Sequence, residues 1–213
     1  MLMTTKETGM TIHRDCEGIG PLYGVKNLIS LTSAESTQDI ARELAIEGED
    51  EGTLVVSASQ TKGKGRLGRS WDSGPGGVYM TLILRPRVHA RLLKEFSLVA
   101  AKTVSETLSR LYGVKTSIKP PNDVMAWHPV KRKYLKVSGI LTESSSAQDV
   151  PDWMLLGMGI NLENTLPKEL ATAAGIRAIT RKPAPAGLFL QAFFKTFWKT
   201  YSAWETGAVS RSF

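Results

Sequence analysis

The sequence predicts an α+β domain in which a few helices flank one sheet of short strands. Three observations support this class. Apolar residues make up 42% of the 213 residues, which is enough for one packed core. Segments rich in β-forming residues outnumber helical ones. Two long segments repeat apolar residues at helical spacing and supply the flanking layer.

The N-terminal half is predicted to contain strands, one helix and a long loop. These elements are a strand at Asn27–Thr32, a helix at Ser33–Glu47, a strand at Thr53–Ser59, a loop at Gln60–Gly77 and a strand at Val78–Leu84. In the helix, Ile40, Ala41 and Leu44 recur at helical spacing, and Gly48 is a suitable stop. Pro86 ends the last strand.

The C-terminal half contains both long helices. Its predicted elements are a helix at Arg91–Tyr112, strands at Val114–Lys119, Val137–Thr142 and Trp153–Gly159, a short helix at Lys168–Ala174 and a helix at Leu188–Trp204. The first helix has one apolar stripe, and Gly113 caps it. The last helix is rich in aromatic residues, which we interpret as core packing.

Composition excludes several classes of function. No apolar run reaches the roughly 18 residues that a transmembrane helix needs, and Met1–Glu7 lacks the apolar stretch of a signal peptide. We therefore expect a cytoplasmic protein. Cys16 is the single cysteine and forms no internal disulfide, and three scattered histidines add no metal-ligand cluster. Much of the net charge of +7 sits at Lys62–Arg69 and Lys131–Lys136, which favours a site or partner surface over a general nucleic-acid coat.

The segment Gly63-Lys-Gly-Arg-Leu-Gly-Arg-Ser-Trp71 predicts an anion-binding loop. Its glycines allow positive φ and close approach of backbone N–H groups, while Lys64, Arg66 and Arg69 supply charged donors for phosphate or carboxylate. Trp71 offers an apolar wall. The spacing matches neither a P-loop nor a dinucleotide-binding fingerprint. By spacing alone, a flexible basic surface loop is an equally simple interpretation.

Four further segments combine polar residues with glycine or proline. They are Ser36-Thr37-Gln38, Lys119-Pro-Pro-Asn-Asp-Val124, Lys136-Val-Ser-Gly-Ile-Leu-Thr-Glu143 and Gly157-Met-Gly-Ile-Asn161. The first suits helix capping and the second suits a turn. In the third, a lysine leads into a strand whose glycine permits close approach of a ligand. Each segment is ambiguous when taken alone.

The order of these segments along the chain resembles the catalytic domain of biotin–protein ligases. The resemblance extends from Ser33 to Asn164, and more loosely to the C-terminal helix. It implies a class II aminoacyl-tRNA-synthetase-like biotin/lipoate ligase fold with a mixed, largely antiparallel sheet. We expect one catalytic domain over residues 1–213, with no N-terminal winged helix and no C-terminal SH3-like domain.

The resemblance implies a two-step reaction. Enzymes of this family activate biotin with ATP to biotinyl-5′-adenylate and then transfer the biotinyl group to one lysine of a biotin carboxyl carrier domain. Mg²⁺ is expected to bridge the ATP phosphates rather than to occupy a protein cage. The expected partners are biotin, ATP and the carrier domain, without DNA or a membrane, and a homodimer stays open.

Site roles follow from the matching positions. The residues implied to contact biotin are Ser36, Thr37, Gln38, Gln60, Lys64, Gly65, Arg66, Lys136 and Gly139. Those implied to serve ATP are Gly63, Arg69, Trp71, Asn122 and Asn161. For catalysis, Arg66 and Lys136 offset the repulsion between the biotin carboxylate and the α-phosphate. Asp123 orients the acceptor lysine or accepts its proton. No metal ligand is implied.

The chain departs from the family pattern at three places within this segment. Pro120 replaces the tryptophan of the usual Lys-Trp-Pro-Asn-Asp, and Gln38 stands where asparagine is commoner. The stretch Val124–Lys136 is longer than the family's usual turn, and Trp127 within it is a candidate to restore the packing lost at Pro120.

Three other functions stay open at this point. A lipoate–protein ligase performs the same adenylation on a related fold. A non-catalytic module would bind biotin or its adenylate without releasing pyrophosphate from ATP. A basic RNA-binding protein would show steep salt-dependent affinity for nucleic acid and no response to biotin.

Overall fold

The computed structural model describes residues 20–145 and 149–208. Cys16 and Met1–Glu7, on which the disulfide and signal-peptide predictions rest, lie outside these residues. Within the described ranges, no helix is both long enough and apolar enough to cross a membrane.

In the described residues, seven strands form one mixed sheet. They are β1 (Asn27–Leu31), β2 (Thr53–Ser57), β3 (Val78–Leu84), β4 (Thr116–Lys119), β5 (Asp123–His128), β6 (Lys133–Ser144) and β7 (Met154–Ile160). Their order across the sheet is β1-β2-β3-β7-β6-β5-β4. β1 and β2 run parallel and every other neighbouring pair is antiparallel. The predicted mixed, largely antiparallel sheet is confirmed.

Helices cover the two faces of the sheet unequally. The helices are α1 (Thr37–Ile46), α2 (Leu93–Tyr112), α3 (Ile176–Thr180) and α4 (Ala186–Glu205). α2 packs on one face and α4 packs on α2, and the main apolar core lies there. α1 packs on the opposite face over β2, β3 and β7. A second apolar cluster fills that contact with Ile29, Ala41, Ala45, Val55, Ile83 and Leu155. In the described residues this cluster includes nothing from β4, β5 or β6, so that half of the face is open.

Both predicted long helices are confirmed. Gly113 ends α2 with a φ of 66°, a left-handed conformation that glycine adopts without strain. The aromatic residues of α4 are buried, as the core interpretation predicts: Phe189, Phe193, Phe194, Phe197, Tyr201 and Trp204.

The sequence analysis assigned no strand to Val124–Lys136, and this omission is wrong. The segment forms a β-hairpin from β5 and the first part of β6. Buried Val124, Ala126 and His128 alternate with more exposed residues, which is the period of a strand with one buried face. Trp127 lies at the far end of β5 from Pro120 and contacts Tyr134, so it does not replace a tryptophan at Pro120.

The short helix predicted at Lys168–Ala174 is also wrong. This segment consists of turns, and the short helix α3 follows it. Lys136 N–H donates to the carbonyl of Thr172 (2.9 Å), and Ala174 N–H donates to the carbonyl of Lys136 (3.0 Å). These hydrogen bonds align the segment with β6 and override its local helical preference.

Candidate functional site

The predicted site residues meet where α1 borders the open half of the sheet face. A small cavity of about 50 Å³ lies there. It is lined by every residue predicted to contact biotin: Ser36, Thr37, Gln38, Gln60, Lys64, Gly65, Arg66, Lys136 and Gly139. The sequence segments that were ambiguous separately are therefore parts of one wall.

A network of side-chain hydrogen bonds orients the polar floor of this cavity. Thr37 N–H donates to Gln60 Oε1 (2.8 Å), and Gln60 Nε2 donates to Ser73 Oγ (2.9 Å). The Thr81 hydroxyl donates to Gln38 Oε1 (3.1 Å). The oxygen of each glutamine amide accepts a hydrogen bond in this network, whereas Gln38 Nε2 finds no partner among the described residues.

Within residues 20–145 and 149–208, three buried polar atoms in the cavity wall have no hydrogen-bond partner. They are Ser36 Oγ, Gln38 Nε2 and Trp71 Nε1. Ser36 occupies the N-cap position of α1, but its side chain makes no capping bond, so the capping interpretation is wrong for this residue. An unpaired buried polar group costs about 1–3 kcal/mol. The wall is therefore suited to a ligand that brings hydrogen-bond acceptors.

Three glycines let neighbouring side chains lie directly on the sheet. A Cβ at Gly139 would lie 2.8 Å from Trp71 Cζ3, and one at Gly159 would lie 2.4 Å from Trp71 Nε1. A Cβ at Gly157 would lie 2.3 Å from Gln38 Oε1. The close approach predicted at Gly139 is thus used by Trp71, which lies across β6 and β7.

A β-bulge explains the spacing of Lys136 and Gly139. Asp123 pairs with Gly139 and Val124 with Ser138, but Met125 pairs with Lys136, so Val137 is the extra residue on β6. Residues three apart on a regular strand point to opposite faces. The bulge places Lys136 and Gly139 on the same face, where both border the cavity.

Lys136 is held by two contacts. Its Nζ lies 2.7 Å from Asp123 Oδ1 and 5.0 Å from the centre of a Trp71 ring. The carboxylate and the ring fix the position of the ammonium group at the rim of the cavity. Asp123 itself does not line the cavity.

The glycine-rich loop brings Arg66 to the other side of the rim. Arg66 Nη1 donates to Asn122 Oδ1 (3.4 Å), and Asn122 Nδ2 donates to the carbonyl of Ile140 (2.7 Å). Among the three glycines of the motif, Gly68 has the positive φ (71°), and Leu67 beside it also has a positive φ of 57°. The loop therefore places Arg66 through a tight turn at its tip.

An ion-pair network that the sequence analysis missed ties the loop to α1 and β6. Lys64 Nζ contacts Asp39, Asp39 contacts Arg42, and Arg42 contacts Glu143. Partial burial raises the pKa of Asp39, but hydrogen bonds and attraction from Lys64 and Arg42 outweigh it and lower that pKa. A charged residue one turn into a helix is an ordinary surface feature in sequence, so no local signal identified this network.

A second, larger cavity of about 600 Å³ adjoins the first. Gly63, Trp71 and Asn161, all predicted to serve ATP, line it. Gln60, Trp71 and Lys136 border both cavities and form the wall between them. Asn122 lines the first cavity instead, and Arg69 lines neither; its backbone carbonyl accepts from Gly65 N–H (2.7 Å).

The free volume of the small cavity limits what it accepts as it stands. Ligand pockets typically measure roughly 300–1,000 Å³, and this cavity measures about 50 Å³. Lys64, Arg66 and Trp71 all extend into its wall from the glycine-rich loop. The position of this loop therefore sets how much room the cavity offers.

A third cavity, of about 500 Å³, holds none of the predicted site residues. His128, Lys131, Arg177 and Arg181 contribute positive or titratable groups to it. Burial, together with Lys131 and Arg181, lowers the pKa of His128 and favours its neutral form.

The chain matches the model of the Biotin/lipoate A/B protein ligase family over residues 30–161. It is 39% identical over 153 residues to the bifunctional ligase/repressor BirA of Bacillus subtilis. This alignment covers 70% of this chain and 45% of that protein. It is 34% identical over 134 residues to the biotin--[acetyl-CoA-carboxylase] ligase of Paracoccus denitrificans, covering 62% of this chain and 53% of that protein. The chain thus spans about half the length of these curated relatives.

A solved structure shares the fold. The biotin protein ligase from Aquifex aeolicus, in complex with biotin and ATP, superposes with a TM-score of 0.71 at 34% sequence identity. The alignment covers 85% of this chain and 72% of that chain.

Proposed function

The chain belongs to the biotin/lipoate A/B protein ligase family, and on that premise we propose that it is a biotin–protein ligase. It would join biotin to AMP at the expense of ATP and then pass the biotinyl group to a lysine of a biotin carboxyl carrier domain. One observation carries this proposal. Buried donors without partners and the cation of Lys136 line the same small cavity, and a larger cavity adjoins it.

The unpaired donors favour biotin over lipoate. The ureido ring of biotin has a carbonyl oxygen and two N–H groups, whereas the dithiolane ring of lipoate has neither. Ser36 Oγ and Gln38 Nε2 gain partners from a ureido ring and stay unpaired against a dithiolane. At about 1–3 kcal/mol for each unpaired group, this difference is large enough to select between the two acids.

In the first step, a carboxylate oxygen of biotin forms a bond to the α-phosphorus of ATP. The bond from that phosphorus to the bridging oxygen of the β-phosphate breaks, and pyrophosphate leaves. Both reactants are anions, so cationic groups are needed where they meet. Lys136 borders both cavities, and Arg66 and Lys64 extend from the loop, so these three would offset the repulsion.

Magnesium would accompany the nucleotide. In the described residues, no group of three or more His, Cys, Asp and Glu side chains is placed to hold a metal ion. Such a surface suits an ion held mainly by phosphate oxygens and water. When bound, Mg²⁺ would neutralise part of the phosphate charge.

In the second step, the acceptor lysine amine forms an amide bond to the biotinyl carbonyl carbon. The bond from that carbon to the AMP oxygen breaks, AMP leaves with the electron pair, and the amine loses a proton. An ordinary lysine has a pKa of about 10.4 and is mostly protonated at neutral pH. Asp123, 2.7 Å from Lys136 Nζ, is the carboxylate we assign to attract this ammonium group or accept its proton.

Pyrophosphate release tests the proposal. Purified protein is incubated with ATP and Mg²⁺, with biotin, lipoate or no acid, and binding of each acid is measured by calorimetry. The proposal predicts release that depends on biotin. Pyrophosphate release that depends on lipoate and not on biotin would assign the chain to the lipoate–protein ligases. Biotin binding without pyrophosphate release would make it a non-catalytic binding module.

A further inference from the structure

A row of apolar side chains continues from the site along the open sheet face. We call it the hairpin patch, and it consists of Met125, Trp127 and Tyr134. Met125 pairs with Lys136 and Trp127 pairs with Tyr134 across β5 and β6, with the two aromatic rings 5.3 Å apart. Tyr134 and Lys136 are alternate residues of one strand and share a face. The hairpin patch therefore begins beside the site lysine.

The hairpin patch lies on the half of this sheet face that α1 does not cover. α1 covers the face over β2, β3 and β7, and the apolar cluster beneath it includes no described residue of β4, β5 or β6. Trp127 is 36% exposed. Met125 and Tyr134 are partly exposed beside it. Tryptophan and tyrosine at a protein surface are typical of interaction sites, where they contribute much of the binding energy.

Several cations lie on the strands and the turn that carry or adjoin the hairpin patch. They lie before β4, at its end, in the hairpin turn and at the start of β6: Lys115, Lys119, Lys131, Arg132 and Lys133. All of them are exposed, and none forms a salt bridge within the described residues. The nearby carboxylate of Asp123 is already paired with Lys136. The surface thus complements an acidic partner with an apolar contact point.

We infer that the hairpin patch docks the carrier domain that presents the acceptor lysine, through an acidic and partly apolar surface of that domain. This inference rests on the proposed function and adds the surface that recognises its second substrate. Tyr134 lies two residues, about 7 Å, along the strand from Lys136. A carrier domain that binds to Trp127 and Tyr134 therefore places an adjacent segment of its own chain above Asp123. This is the position that the acceptor amine must reach. A nucleic acid has no acceptor lysine to place there, so this position favours a protein partner.

The test separates docking from chemistry by changing the acceptor. Biotin-dependent pyrophosphate release measures the first step, hydroxylamine serves as a small acceptor for the second, and a purified biotin carboxyl carrier domain serves as the full acceptor. For Trp127→Ala/Tyr134→Ala we expect kcat/KM for the carrier to fall roughly tenfold or more. Pyrophosphate release and transfer to hydroxylamine should stay at the level of the unchanged protein.

A charge variant gives the same test without truncating an aromatic residue. Lys131→Glu/Lys133→Glu should lower kcat/KM for the carrier and weaken its dependence on salt, because fewer cations then attract the acidic domain. Lys195→Glu/Lys199→Glu, on exposed positions of α4 behind the sheet, is the matched control. Tyr23→Ala, at an exposed tyrosine outside the patch, is the control for the aromatic variant.

The outcomes are distinguishable. Carrier transfer that falls only in the hairpin variants supports docking. Unchanged carrier transfer, or an equal fall in all three assays, overturns it, since the hairpin would then be inert or merely structural. Salt-dependent RNA binding that the hairpin variants lose, with carrier kinetics intact, also overturns it. Absence of biotin-dependent pyrophosphate release from the unchanged protein would instead refute the proposed function.

Discussion

The two halves of one sheet face differ in what their side chains do. Under α1, Ile29, Val55, Ile83 and Leu155 point into a sealed apolar layer. Across β4, β5 and β6 the same face is open and carries Lys136, Asp123 and the hairpin patch. The boundary lies at Gly139, Gly157 and Gly159, where Trp71 and Gln38 lie on bare backbone.

This difference shows how one sheet supports packing and chemistry together. Apolar side chains buried in the covered half contribute to the free energy of folding. Side chains on the open half make few apolar contacts, so their replacement removes little of it. We therefore expect substitutions under α1 to change stability, and substitutions on the open half to change activity.

The largest expected effect is on stability, at the covered half. Ile83→Ala removes a fully buried side chain between β3 and α1. It should lower the free energy of unfolding by about 2–5 kcal/mol, measured by urea denaturation. Ile46→Ala, at an α1 position that is 66% exposed, is the matched control and should change it by less than about 0.5 kcal/mol. Similar losses in both variants would contradict the assigned packing.

The next effect is on activity, at the open half. Lys136→Ala should slow biotin-dependent pyrophosphate release by about 10²–10³-fold, because a cation at the meeting point of two anions is lost. Biotin affinity should fall much less, and the thermal midpoint should change little. Lys119→Ala, at an exposed lysine on β4, two strands away from β6, should leave release unchanged. Unchanged release in Lys136→Ala would remove this residue from the mechanism.

The boundary is tested by a pair of substitutions. Gly157→Ala places a methyl group 2.3 Å from Gln38 Oε1 and should weaken biotin binding roughly tenfold, as measured by calorimetry. Gln38→Asn shortens the opposing side chain, so Gln38→Asn/Gly157→Ala should regain part of the affinity. Gly74→Ala, whose Cβ would meet nothing closer than 3.8 Å, is the control. Strictly additive losses would show that the two positions do not share this contact.

The smallest effect concerns the network that ties the loop to α1. The pKa of Asp39 in the folded protein is below its usual 3.8, so its ionised form stabilises the fold above pH 3.8. That contribution is lost as the pH falls through the folded-state pKa. Asp39→Asn should therefore be less stable at pH 7, by less than about 1 kcal/mol because the pair is partly exposed. Urea denaturation at pH 7 and at pH 2 should show the difference shrinking, and an equal difference at both values would contradict this account.

The sequence predicted the parts of the molecule whose patterns are local. Apolar periodicity located α2 and α4, and the β-forming run Val78–Leu84, ended by Pro86, located β3. The order of the short polar segments resembles that of biotin–protein ligases, and this resemblance implied one site for Ser36, Gln60 and Lys136, which line one cavity.

What the sequence did not predict depends on pairing across the chain. β5 is recognisable as a strand only once β4 and β6 lie beside it, because its charged and turn-forming neighbours mask the alternation. Residues 172–174 are extended only because β6 supplies their hydrogen bonds. Thr81 sits in an apolar strand, and its contact with Gln38 depends on where α1 packs.

The central claim is that this site makes a biotinyl group available to a lysine of another domain. Intact-mass spectrometry of a biotin carboxyl carrier domain, incubated with the protein, biotin, ATP and Mg²⁺, tests it most directly. The account predicts one biotinyl addition on one lysine, dependent on ATP and strongly reduced with Lys136→Ala. An unmodified carrier in the complete mixture would contradict it.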